Sequence, residues 1–348
     1  MRWIASLTAA ALAGCALAAP GAGAKTGQLT SFDGVTVEGS PFRYAAFSPD
    51  RHTPEGFVPG KHTVVVRVFR DGGEVSRWWT LPGAWGVPAV SYDINGGGGL
   101  SADGSTLILT RITRAFPAPV SRFAILDTGI RADDRGGSDV WRSADQTRHI
   151  EVEGDLSFHA ISPDGSTVYL AERLPSHDGP IHITDQQLRA LDVGSERLMP
   201  LPILDDDPEA REEGLPVTSA TSPDGRWAYM LYDGSGDGAF LEALDTVRGE
   251  VASVELPQLD VHRDLFTLQL RTEDLGRTIA VRGYPPDGTT RRTLVAVDAA
   301  RLEVVGSTQS GTESADSPWI PIDLAIVALT VAAARGSRVA GLRRRSPA

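Results

Sequence analysis

The chain has a single cysteine in 348 residues, Cys15, close to its beginning. An internal disulfide is thereby excluded, as are a zinc–thiolate centre and a cysteine nucleophile in anything downstream. Lysine is almost as scarce: Lys25 and Lys61 are the only two, and every other basic side chain is arginine. Positive charge is in deficit, with a formal net charge of −12. Arg335, Arg338, Arg343, Arg344 and Arg345 stand in a final stretch that carries no acid, so the body of the chain is more acidic still. Nucleic acid is therefore not an expected partner, because phosphate binding needs a basic face. Long apolar runs are missing from the middle of the chain and occur only towards its two ends.

What is present in quantity is turn chemistry, with 37 Gly and 23 Pro. A corner returns about every 50 to 60 residues: Ser48-Pro49-Asp50, Ser101-Ala102-Asp103-Gly104, Ser162-Pro163-Asp164-Gly165, Ser222-Pro223-Asp224-Gly225 and the degenerate Thr272-Glu273-Asp274-Leu275-Gly276. Pro at the second position presets φ, Asp bonds its own backbone, and Gly accepts the positive φ that other residues resist. The segments that follow, Ser105–Thr110, Ser166–Ala171 and Arg226–Leu231, are rich in β-branched, aromatic and aliphatic residues and read as strands. Between corners a second mark recurs, Ile125-Leu126-Asp127, Ala190-Leu191-Asp192, Ala243-Leu244-Asp245 and Ala296-Val297-Asp298, with Val68-Phe69-Arg70-Asp71 as its first copy. Each period thus predicts two hairpins, or four strands.

Repeated four-stranded units of this length predict an all-β fold, a β-propeller of four-stranded blades. Five blades are counted, alternatively six if residues 128–160 or 28–46 hold another sheet. The repeat begins and ends half a unit out of phase, which predicts that strands near Thr30 to Ala46 pair with the C-terminal ones to close the ring. The SPDG-then-strand pattern and the A-L-D strand pair resemble the WD40-like bacterial β-propeller repeats of the TolB/PD40 and YVTN type, over roughly residues 40–305. That resemblance implies architecture and little chemistry, since propellers carry many activities.

The divisions expected are a signal peptide at 1–24, the propeller at 25–308, a polar linker at 309–318, a transmembrane helix at 319–334 and a basic cytoplasmic tail at 335–348. Arg2, the apolar run Trp3 to Leu12 and the small residues through Ala24 have the layout of a secretory leader. Two processing routes fit: lipidation at Cys15 after Leu12-Ala13-Gly14, or cleavage after Ala22-Gly23-Ala24. Residues 319–334 span about 24 Å as a helix, against about 30 Å of hydrocarbon, and Trp319, Asp323 and Arg335 would anchor and snorkel to close the gap. The arginine-rich end then faces the cytoplasm, which places the propeller on the outer side of the cell membrane.

No local spacing calls for a metal or cofactor. Asp233 to Gly238 begins like an EF-hand loop, but Leu244 stands where the bidentate Glu belongs, so a hairpin loop is the better reading. Asp205-Asp206-Asp207 reads as a solvated acidic loop, and His177 and His182 as a loop pair. His159 and His262 fall on strands just before corners, as core or channel-lining residues. Trp78, Trp79 and Trp85 cluster on Gly/Pro-rich backbone and are candidate stacking residues for a ligand, with packing between blades as the other explanation. No G-x-S-x-G elbow occurs. The expectation is a membrane-anchored, extracytoplasmic platform that binds a protein or a small molecule. The alternative is a channel-sited, metal-dependent hydrolase or lyase of lactonase kind, acting on an extracellular carbohydrate or lactone, whose ligands would come from distant blades.

Overall fold

The corners are locked by their own side chains. In the computed structural model, Ser101 Oγ donates to Asp103 Oδ1 at 2.6 Å and accepts the Thr106 amide at 3.0 Å, while Asp103 Oδ1 accepts the Ser105 amide at 2.9 Å. The same three bonds recur at Ser162, where they measure 2.8, 2.9 and 3.0 Å, and at Ser222, where they measure 2.6, 2.9 and 3.1 Å. Serine and aspartate recur because together they satisfy the amides that the turn exposes. The A-L-D aspartates act likewise at the second hairpin. Asp192 accepts the Ser195 amide, Asp245 those of Val247 and Arg248, and Asp298 those of Ala300 and Arg301.

The structure describes residues 34–307 except 38, 49–50, 54–55, 59, 72–74, 91–97, 113–119, 130–139, 144–146, 174–184, 202–211, 235–237, 258, 260–266 and 285–289. The strands begin with β1 (Phe42–Phe47), the small hairpin β2 (Arg51–Thr53) and β3 (Gly56–Val58), β4 (His62–Phe69) and β5 (Val75–Pro82). Next come β6 (Trp85–Gly86), β7 (Thr106–Arg111), β8 (Val120–Asp127), β9 (Val140–Ser143) and β10 (Thr147–Glu153). They are followed by β11 (Leu156–Ile161), β12 (Thr167–Arg173), β13 (Asp185–Asp192) and β14 (Arg197–Pro200). The fourth set is β15 (Glu212–Thr221), β16 (Trp227–Gly234), β17 (Gly238–Asp245) and β18 (Glu250–Leu256). The last is β19 (Gln269–Glu273), β20 (Thr278–Gly283), β21 (Arg292–Asp298) and β22 (Glu303–Ser307).

These strands form four-stranded units in the orders β1-β4-β5-β9, β6-β7-β8-β10, β11-β12-β13-β14, β15-β16-β17-β18 and β19-β20-β21-β22, here called the first to fifth sheets. Pairing is antiparallel except for β9, which runs parallel to β5. The third and fourth sheets are joined by a short pairing of β13 with β15. An all-β set of antiparallel four-stranded sheets matches a propeller. Four apolar clusters lie one at each successive junction. Trp79 and Leu107 belong to the first, Phe123 and Leu170 to the second, Tyr169 and Leu244 to the third, and Leu241 and Ile279 to the fourth. Middle strands are covered on both faces, so β7 and β16 read as unbroken apolar runs rather than alternating ones. Each buried Leu or Ile in them contributes about 1.5–3 kcal/mol.

The two ends of the repeat depart from expectation. β1 does not reach the C-terminal strands; it pairs with β4, and Val35 bridges Tyr44 on its other side. β22 pairs with β21 alone among the described residues. Phe42 against Phe69 (centroids 4.8 Å apart) and Tyr44 stacked on Trp79 (6.1 Å) hold β1 in the first sheet. Ser48 accordingly follows β1, which has residues 35–37 inside it, and is separated from β4 by the β2–β3 hairpin, whereas each later corner leads directly into the next strand of its sheet. Within the described parts of 28–46 and 128–160, β1 belongs to the first sheet, β9 extends it, β10 completes the second and β11 begins the third. At the degenerate corner, Asp274 and Leu275 take φ of 51° and 59° without being glycine, and Leu275 stands exposed.

Candidate functional site

A cavity of about 460 Å³ opens where the innermost segments of all five sheets meet. Residues 35–37, 98–100 with Ala102, 158–161, 219–223 and 270–272 each supply one part of its wall. It exists because the second to fifth units present the end of their inner segment, just before or within the corner, to the same space, and residues 35–37 take that place in the first. The wall is mixed: the Thr221, Ser222 and Thr272 hydroxyls alternate with Val35, Ile161 and Leu270. The charged or ionisable groups there are Arg70, Arg271, His159 and Tyr229, and no carboxylate among the described residues lines it. Both arginines are exposed, and neither has an ion-pair partner among the described residues. Burial, reinforced by the nearby charge of Asp224, pushes the Tyr229 hydroxyl up to about 12, so it stays a neutral donor.

His159 is aimed by a β-bulge. The β11–β12 register slips between Phe158 and Ala160, and the residue between them turns its ring across to the fourth sheet. There His159 Nε2 meets Glu242 Oε1 of β17 at 2.8 Å, with side-chain exposures of 3% and 0%. Around them the junction is built of Ala160, Ala171, Ala190 and Ala228, small residues that leave room for both side chains. A second polar contact crosses the same junction, from the Tyr169 hydroxyl to Thr246 O at 2.9 Å. Burial, with Asp245 adding to it, raises the Tyr169 hydroxyl to about 12. Of the pair, His159 lines the cavity and Glu242 does not.

The three tryptophans do not make one aromatic surface. Trp78 and Trp79 are neighbours on β5 and point to opposite faces, leaving Trp78 39% exposed and Trp79 1%. Trp85, 3% exposed, packs in the cluster between the first and second sheets and donates its indole N–H to Pro82 O at 2.7 Å. Their common role is packing between sheets for two of the three, and none lines the axial cavity.

Cys15, the leader, His177, His182, His262, the acidic stretch at 205–207 and everything from 308 onward lie outside the described residues. The Asp233–Gly238 segment joins β16 to β17 as a hairpin, with Gly234 opposite Gly238. Among the described residues no group of three His, Cys, Asp or Glu is placed to hold a metal ion, and no helix is long and apolar enough to cross a membrane. His159 is lining the cavity, as its strand position just before a corner suggested. Glu242, Arg70 and Arg271 are additions from the structure. The one sequence signal for Glu242 is an acid alone within the apolar strand Ala239–Leu244.

No family model matches the chain, and no curated protein matches it in sequence. Among solved structures, it is similar to TolB from Acinetobacter baumannii, at 15% identity and a TM-score of 0.40, over 75% of this chain and 51% of that one. It is also similar to a TolB-like structure from Agrobacterium tumefaciens, at 14% identity and TM-score 0.35, covering 74% of this chain and 90% of that one. A third is the propeller of Dos1, at 10% identity and TM-score 0.38, covering 73% and 60%. The match thus spans about half the length of the first of these.

Proposed function

We propose that this chain is an exported, membrane-anchored β-propeller that serves as an extracytoplasmic binding platform, with the axial cavity as its site. In this reading the five sheets are five blades, and the ring closes with the fifth against the first. The observation that carries it is the cavity itself: one space lined by the inner segments of all five sheets, in which, among the described residues, two arginines without an ion-pair partner are the only full charges on view. In a chain of net charge −12, that concentration of positive charge favours a partner bearing an anionic group, whether a protein segment or a small molecule. The leader at 1–24 and the apolar stretch at 319–334 with its arginine-rich flank support the address.

Crosslinking in intact cells followed by co-purification of the full chain from membranes tests the site. A partner retained by the wild type and lost with Arg70→Glu plus Arg271→Glu supports this reading. A partner profile identical in both would overturn it. Separately, removal of residues 319–348 should release the chain from the membrane fraction, and retention would refute the anchor.

A further inference from the structure

A second cleft, of about 330 Å³, lies at the junction of the first and second sheets and shares no residue with the axial cavity. Its wall carries Pro82, Trp85, Arg111, Arg122, His149 and Glu151. Strand register gathers them. Trp85 is opposite Arg111 across β6 and β7, and Arg122 is opposite Glu151 across β8 and β10. Thr110 opposite Phe123 brings Arg111 beside Arg122, so that the four residues form a rung across the second sheet. His149, two positions from Glu151, emerges on the same face.

The indole of Trp85 is the base of this cleft. The Arg111 guanidinium lies 5.1 Å from the ring centroid of Trp85, and the His149 ring lies 5.1 Å from it on a tilted plane. Gly83, at φ +98°, makes room for the arginine, since a Cβ there would overlap Arg111 Nη1. Arg111 is therefore seated between a glycine backbone and an aromatic face. Glu151 is the only carboxylate of the cleft among the described residues, and it is already bonded to Arg122 Nε at 2.6 Å. Arg111 has no carboxylate at ion-pair distance among the described residues.

A single guanidinium on an indole would be an ordinary packing contact. Here a second guanidinium and an imidazole are brought to the same opening, so that Arg111 is repelled by Arg122 and disfavours protonation of His149. Partial burial, then the charge of Arg122, hold Arg111 below the usual guanidinium range. Partial burial, then the charge of Arg111, hold His149 below the usual imidazole value. A bound anion would relieve both. The forked donors of two adjacent arginines match the oxygens of a planar carboxylate or a phosphoryl group, and the volume suits a small ligand.

We propose that this cleft is a second binding site, which takes the oxyanion group of a small carboxylated or phosphorylated ligand between Arg111 and Arg122, above Trp85. It is independent of the axial cavity.

Calorimetric titration of the purified full chain at low ionic strength, with inorganic phosphate and separately with citrate, tests the site. Saturable binding of at least one is expected, and the tighter of the two identifies the phosphoryl or the carboxylate source. Arg111→Met should weaken binding about tenfold, the loss of one charge-assisted hydrogen bond. Glu151→Gln, at an exposed position, should tighten it by freeing Arg122. Arg301→Ala, in the exposed turn between β21 and β22 and in neither cavity, should leave it unchanged. The proposal is overturned if neither anion binds saturably, if Glu151→Gln and Arg111→Met both bind as the wild type does, or if Arg301→Ala alone abolishes binding.

Discussion

His159 Nε2 and Glu242 Oε1 stand 2.8 Å apart in the core, one on the inner strand of the third sheet and one on the third strand of the fourth. Both side chains are withdrawn from water, so each depends on the other for compensation of its polarity. Removing one partner leaves the other buried without its counterpart, which costs about 3–5 kcal/mol for such pairs. Glu242→Ala should therefore lower the urea midpoint markedly. The double replacement of His159→Leu and Glu242→Leu should recover much of the loss, because an apolar pair needs no compensation. If Glu242→Ala unfolds at the wild-type midpoint, the pair does not join the sheets as described.

The corners of the fourth and second sheets rest on one another. Gly225 has φ of +72°, and a Cβ added there would lie 2.5 Å from Ala102 Cβ of the second sheet's corner. Gly225→Ala meets both penalties, backbone strain and overlap, and should destabilise by about 2 kcal/mol. Ala102→Gly in the same chain removes only the overlap, so a partial rescue is expected in thermal unfolding. A full rescue would place the whole cost in packing, and no rescue would place it in the backbone.

Acid should weaken the fourth sheet first at Asp245. Burial alone would raise its pKa. The Arg226 side chain and the Val247 and Arg248 amides outweigh that and hold it below the ordinary carboxylate value. A carboxyl depressed on folding stabilises above its unfolded pKa of about 3.9. That stability disappears as pH falls through the lower, folded value. Urea midpoints measured from neutral pH down to strong acid should fall in that window. Arg226→Gln brings the folded value back up towards the unfolded one and should make the fall smaller, and superimposable profiles would contradict the assignment.

Trp78 and Trp79 should separate sharply although they are adjacent. Trp79→Ala empties a fully covered site and should cost about 3–5 kcal/mol, whereas Trp78→Ala, at a partly exposed site, should change stability by about 0.5 kcal/mol or less. Equal effects in chemical denaturation would mean that β5 is displaced by one residue.

Much of the fold was legible because its signals are local. Ser162, Asp164 and Gly165 close their corner with bonds that span five residues or fewer, and Asp192 caps its hairpin three residues on. Such chemistry writes itself into spacing. The ends were misread for the opposite reason. Whether β1 joins β4 or the last sheet depends on whether Phe42 and Tyr44 find Phe69 and Trp79, and nothing in the period of the repeat encodes that choice.

By itself the sequence determined the strand-rich class, the period, the four-strand unit and the residues of each turn, since these depend on neighbours along the chain. Only the tertiary structure decided which side chains meet between sheets. His159 and Glu242 are separated by 83 residues, the Arg70 and Arg271 of the cavity by far more, and the Trp85, Arg111 and His149 of the outer cleft come from three strands. Burial on both faces erases the alternation that would have told one face from the other. Contacts between sheets are therefore set by how the sheets stack, a property of the assembled array that no single repeat carries.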